Sequence, residues 1–333
     1  MPGHDIVVVG GSAGAIEALK KLVSGLPKEF PAAVFVVVHV WPEAKSMLPE
    51  ILSHSGPLPA AHARDGESIQ PGRIYVAVPD CHLLLNHGEV NLRRGPKENL
   101  HRPAVDPLFR TAARAYGPRV IGVILSGGLD DGTAGLLAIK RYGGIAVVQD
   151  PSMAGTPGMP ASACENVDVD YILPVSEIAP LLVQLAHERV REPVTAVAEP
   201  EEPETGVAMG RAANAVRSGA DEPPGKPSAY ACPECHGVLF EVEDRDFLRF
   251  RCRVGHAYSE ETLSLELSSG AEAALWAGLR ALEENAALER RLASRAKARN
   301  HLQTAEQFAR KAEERETSAR VIGELLLHVK QVK

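Results

Sequence analysis

Five short runs in the first 186 residues, at 6–9, 34–38, 74–78, 120–125 and 145–148, are apolar at consecutive rather than alternate positions. Strands of that kind must be covered on both faces, which is the condition of a parallel sheet. Stretches of helical periodicity, such as 15–22 and 105–115, separate the runs. The alternation predicts an α/β domain: a doubly wound, mainly parallel sheet with helices on both faces.

At 333 residues the chain is longer than one core usually supports, which is about 250–300 residues. We expect the α/β domain to occupy residues 1–187. Residues 188–229 contain no aromatic side chain and six prolines among Glu, Gly and Ala, and are read as a flexible linker. A Cys/His module is expected at 230–258, and an α-helical tail rich in Ala, Leu, Glu and Arg at 259–333. A net charge of −7 argues against a nucleic acid partner held by electrostatics. No run of 18 apolar residues or signal peptide is found, so membrane insertion is not expected and a cytoplasmic location is.

The first run ends in Gly10-Gly11-Ser12-Ala13-Gly14. A dinucleotide fingerprint needs glycine where Ser12 stands, so that reading fails. Gly10-x-Ser12-x-Gly14 between strand and helix instead fits a nucleophile elbow, in which a helix-start amide stabilises an oxyanion. The bland alternative is that Ser12 is a helix N-cap. A hydroxyl nucleophile needs a base and an orienting group. The second run ends at His39, and the run at 120–125 leads into Ser-Gly-Gly-Leu-Asp130-Asp131-Gly. Adjacent parallel strands deliver their carboxyl ends to one crevice, so Ser, His and Asp can meet there. Taken singly, His39 reads equally as a strand-end histidine, and either aspartate as a cap of the helix near Thr133. The order Ser, His, Asp differs from that of the α/β-hydrolases.

These residues, with "VVVHVWP" around His39, "DGESIQPGRIYVAVPDCHLLL" from Asp65, "RPAVDPLFRTAA" from Arg102, "GVILSGGLDDGTAGL" from Gly122 and "VQDPSMAGTPGMPASA" from Val148, resemble the catalytic domain of the chemotaxis receptor protein-glutamate methylesterases over roughly residues 5–186. The resemblance implies a serine hydrolase that removes γ-methyl esters from glutamates of a methylated chemoreceptor-like protein, with no cofactor in catalysis. Some relatives also deamidate glutamine. By position it implies Ser12 as nucleophile, His39 as general base and acid, Asp131 as the orienting carboxylate, and the backbone amides of Ala13 and Gly128 as oxyanion donors. His82 falls in a family-like stretch and is read as structural. Ala13 and Gly128 replace the threonine and methionine common in the family. With the first strand starting at Ile6, control by an N-terminal phosphoacceptor domain within the chain is not expected. The alternative reading is a catalytically reduced scaffold of a chemosensory-like system.

Cys232-Pro-Glu-Cys235 is followed after 16 residues by Cys252-Arg-Val-Gly-His256, across a stretch that alternates like a hairpin. Three thiolates and an imidazole at this spacing predict a closed, structural Zn²⁺ site in a small zinc ribbon. His236 is the poorer fourth ligand because it adjoins Cys235. In the tail, Leu275, Leu279, Leu282 and Ala286, then Leu302, Ala305, Ala309 and Ala312, mark apolar faces of two helices broken near Arg299. They form either an antiparallel hairpin within the chain or a seam between copies in a homo-oligomer.

Overall fold

The computed structural model describes residues 3–41, 43, 45–190, 225–244 and 247–329. Most of the expected linker, and Pro42 of the His39 motif, lie outside the described residues. The chain divides into two compact units, Met1–Leu263 and Ser264–Lys333.

The first unit is built on a seven-stranded sheet. Its central strand β1 (Ile6–Gly11) pairs in parallel with β2 (Ala33–Val38) on one side and β7 (Val120–Ile124) on the other. Beyond β2 lie β4 (Ile74–Val76) and β3 (Ala60–His62); beyond β7 lie β8 (Ile145–Gln149) and β9 (Tyr171–Leu173). All six pairings are parallel. The chain winds outward from β1 in one direction through β4 and in the other through β9, so the strand order reverses at β1 and β7. That reversal opens a crevice at the strands' carboxyl ends.

The consecutive apolar runs have the expected cause. In β1, Val7 and Val9 face helices α1 (Ala15–Ser24), α2 (Leu48–Ser55) and α6 (Val175–His187), while Ile6 and Val8 face α3 (Val105–Tyr116), α4 (Thr133–Arg141) and α5 (Gly158–Asn166). A hairpin of β5 (His82–Asn86) and β6 (Glu89–Arg93) packs Leu83, Leu85 and Val90 into the second of these layers. Strands β3 and β9 and this hairpin were absent from the five-run reading: β3 and β9 are three residues long and at most partly buried.

The Cys/His module belongs to the same unit. It forms an antiparallel sheet of β10 (Lys226–Ala231), β11 (Val238–Asp244), β12 (Phe247–Cys252) and β13 (Ala257–Ser259) around Cys232, Leu239, Phe250, Cys252, Tyr258 and Leu263. In the second unit, α7 (Glu260–Ala298), which begins in the first, and α8 (Leu302–Val329) form an antiparallel hairpin. Its seam is narrow: Ala286, Ala296, Ala305, Ala312, Ala319 and Leu326 are buried, and Arg290–Glu316 and Arg315–Glu289 bridge the helices. Leu302, expected on this face, is exposed at the first residue of α8. No helix among the described residues is long and apolar enough to cross a membrane.

Candidate active site

Register decides which residues meet at the crevice. In the β1–β2 pair Gly11 lies opposite Val38, so the next residues, Ser12 and His39, leave adjacent strands side by side. His39 N–H donates to Gly11 O at 3.4 Å, and Ser12 N–H donates to Ser126 O beyond β7 at 2.9 Å. Gly14 caps α1 at φ 81, a conformation that strains any residue with a Cβ, and a Cβ there would lie 2.6 Å from Ser126 Oγ. Ser126 ties three loops together: its Oγ donates to Ala13 O at 2.7 Å and accepts Thr156 N–H at 2.9 Å. Gly127 is equally confined, since a Cβ would stand 2.1 Å from Met159 Sδ and 3.0 Å from Ser12 Cβ.

His39 Nε2–H donates to Asp131 Oδ2 at 2.7 Å, with both side chains buried. That leaves Nδ1 as the ring nitrogen for a hydroxyl. Asp131 stands at the start of α3, where Val105 N–H donates to Oδ2 at 2.7 Å and Asp106 N–H to Oδ1 at 3.2 Å. Asp106 reciprocates: its Oδ1 accepts the amides of Gly132 and Gly135 at the start of α4. Each carboxylate therefore occupies the positive end of the other's helix. Asn99 Nδ2 bridges them, donating to Asp131 Oδ1 at 3.1 Å and Asp106 Oδ2 at 3.0 Å. Burial alone would raise Asp131, but the hydrogen bond and charge of His39 and the Val105 amide hold its carboxyl below the ordinary range. Burial and the charge of Asp131 push the Asp106 carboxyl up.

Asp130, the other candidate in the Asp-Asp pair, points elsewhere: its Oδ1 accepts Ser259 Oγ–H at 2.8 Å and Thr262 Oγ1–H at 3.2 Å. His101 stacks on the His39 ring, with centroids 3.6 Å apart and planes 10° off parallel. Burial, then the adjacent His39, draws the His101 imidazole down to about 4, so it is neutral at neutral pH. Among the described residues, the amides of Ala13 and Gly128 donate to no acceptor and the Ser12 hydroxyl has no hydrogen-bond partner. Leu129 beside them is held at φ 59, a strained value for its side chain. His82 is structural as read: it is buried, Nε2 bonds Pro96 O at 2.8 Å, and Nδ1 accepts Ala104 N–H at 3.3 Å. The motifs contained Asp106, and Asn99 and His101 immediately precede one of them. Nothing in their spacing marks them as neighbours of Asp131 and His39.

The second cluster is Cys232, Cys235, Cys252 and His256, whose ligand atoms all lie within 4.8 Å of one another and can hold a metal ion. Cys232 Sγ and Cys252 Sγ are 3.7 and 3.6 Å from His256 Nδ1, and Cys235 Sγ is 3.7 Å from Cys252 Sγ. Tetrahedral bonds of about 2.3 Å give edges of about 3.7 Å, so the donors are spaced for one cation. Tyr258 Oη lies 3.5 Å from Cys232 Sγ and supports it from behind. His236 is not in the group.

At the switch point of this parallel sheet, a half-buried serine and a carboxylate-bonded histidine end adjacent strands beside unengaged amides, an arrangement compatible with ester hydrolysis. The family described as CheB methylesterase matches residues 7–182, and the chain belongs to that family. A Leptospira interrogans protein described as "Putative protein-glutamate methylesterase/protein-glutamine glutaminase" is 38% identical over 183 residues, covering 55% of this chain and 95% of the relative. A Thermotoga maritima relative described as "Protein-glutamate methylesterase/protein-glutamine glutaminase" is 39% identical over 184 residues, but there the match spans 54% of the relative. The crystal structure of the Thermotoga maritima CheB methylesterase catalytic domain superposes with a TM-score of 0.53 at 38% identity, covering 54% of this chain and 98% of that one. The Cys/His module and the helical tail lie outside the matched residues.

Proposed function

We propose that the protein is a cytoplasmic serine hydrolase that demethylates glutamate γ-methyl esters of a chemoreceptor-like protein, and deamidates glutamines by the same chemistry. The observation that carries this reading is the buried His39–Asp131 hydrogen bond one strand from Ser12. In the reaction, His39 Nδ1 takes the Ser12 proton as Oγ attacks the ester carbonyl, and Asp131 stabilises the imidazolium. The amides of Ala13 and Gly128 hold the oxyanion; losing one such donor costs about 10²–10³ in rate. His39 returns the proton to the leaving methoxide, methanol departs, and the glutamyl–Ser12 ester remains. Water deprotonated by His39 then hydrolyses that ester, releasing glutamate and restoring Ser12.

For the Cys/His cluster we propose Zn²⁺. Four protein ligands leave no open position, so the ion supplies folding energy and takes no part in the chemistry.

Incubated with methylated receptor, the full chain is expected to release methanol, and Ser12→Ala to release none. A fluorophosphonate probe should label wild type and not the variant. Equal release by both would remove Ser12 from the mechanism, and an unlabelled, folded, metal-loaded wild type would favour the scaffold reading.

A further inference from the structure

The module grips one short loop of the hydrolase domain, residues 97–101, from one side, while the opposite side of that loop forms part of the candidate site. On the module side, Lys97 Nζ pairs with Glu234 at 2.7 Å and Lys97 O accepts Ala257 N–H at 3.3 Å. The buried Glu98 carboxylate meets Arg251 of β12 at 3.1 Å as well as Arg110 of α3 at 2.8 Å. Asn99 N–H donates to Ala257 O at 2.9 Å, Asn99 Oδ1 accepts Ser259 N–H at 3.2 Å, and Leu100 packs on the module's core. On the site side, the same Asn99 amide bridges Asp131 and Asp106, and His101 covers the His39 ring. Two of the module's six core residues, Cys232 and Cys252, are in the metal-binding group. A core that small holds its shape through the ion.

We infer that the metal-held Cys/His module is a clamp on the hydrolase site, with Asn99 and His101 as the positioning residues through which it holds the Asp131–His39 pair. The inference rests on the proposed roles of those two side chains. The path is short. Metal orders β12 and β13, Ala257 O and Ser259 N–H then fix Asn99 in its left-handed backbone conformation (φ 46), and its amide reaches Asp131. Without the ion Asn99 is released, Asp131 loses a donor, and the stacked His101 is no longer held.

The test uses the full chain. Zinc is stripped with a thiol reagent and chelator, metal content is measured, and Zn²⁺ is then restored. Two readouts are taken on wild type and Asn99→Ala: the low-field proton resonance of His39 Nε2–H, which needs no turnover, and kcat and KM separately. Stripping and Asn99→Ala are each expected to shift or broaden the resonance and lower kcat about tenfold with KM unchanged. Restored Zn²⁺ should reverse the first effect and not the second, and stripping the variant should add nothing. An unaltered resonance in stripped protein, or losses that multiply, overturns the clamp. If Asn99→Ala fails to fold by circular dichroism, the reversible metal arm decides alone. If wild type shows no esterase activity, the resonance still decides the clamp while the functional proposal falls by itself.

Discussion

Asp131 is surrounded by donors: His39 Nε2 and the Val105 amide on Oδ2, Asn99 Nδ2 and the Asp106 amide on Oδ1. An amide in its place would turn an NH₂ toward two N–H groups whichever way it flips. Asp131→Asn is therefore expected to lower kcat by about 10³–10⁴-fold through loss of the imidazole's orientation. It should also destabilise the fold by about 1–3 kcal/mol through unsatisfied donors; steady-state kinetics and urea unfolding of the same sample separate the two. At this scale the strand ends Ser12 and His39 were readable as candidates, because each directly follows an apolar run, and Asp131 was preferred to Asp130 through the family resemblance. Asn99, His101 and Asp106 were not. Asn99 acts across 32 residues of chain separation from Asp131, and the relevant spacing exists only after α3 and α4 pack.

Among the elements, the turn from β1 into α1 carries the most constraint. Gly14 adopts φ 81 and a Cβ there would lie 2.6 Å from Ser126 Oγ, so Gly14→Ala pays twice, for the left-handed backbone and for displacing a hydroxyl that links the Ala13 and Thr156 segments. We expect a loss of about 1–3 kcal/mol in denaturant unfolding together with a fall in kcat, because the Ala13 amide moves with the turn. Near-wild-type kinetics in a destabilised variant would show that the turn serves the fold alone. The five buried strands and the helices at 15–22 and 105–115 were legible from periodicity, with ends that shift by no more than about two residues in the structure, β4 and β7 stopping short of their runs. The knuckle hairpin was too, and β11 and β12 pair antiparallel as far as Asp244 opposite Phe247. Short edge strands carry too few side chains to show a period, which is why β3 and β9 escaped.

For the whole molecule, the seam between hydrolase domain and module carries an electrostatic cost. Burial, with Glu261 and Asp131 nearby, pushes the Asp130 carboxyl up to about 6, while Ser259 and Thr262 hydroxyls partly compensate. A carboxyl whose folded value lies above its unfolded one, about 3.9, favours folding below that value and loses the contribution as pH rises through about 6. The gap corresponds to about 3 kcal/mol at neutral pH. Asp130→Asn keeps an acceptor for both hydroxyls without the charge. Its Tm should exceed that of wild type at pH 8, with the difference shrinking toward zero as pH falls from 6 to 4 in calorimetric scans; a pH-independent difference would contradict the assignment.

The local chemistry of the chain determined the strands, the side chains at their ends and the two Cys/His knuckles, since each depends on residues within a few positions of one another. The tertiary structure alone decided that two helices exchange carboxylates, and that the module closes on the loop at 97–101. Those contacts join segments up to 160 residues apart, and such pairings arise from packing two covered faces and a small metal-sized core together, which no local periodicity encodes.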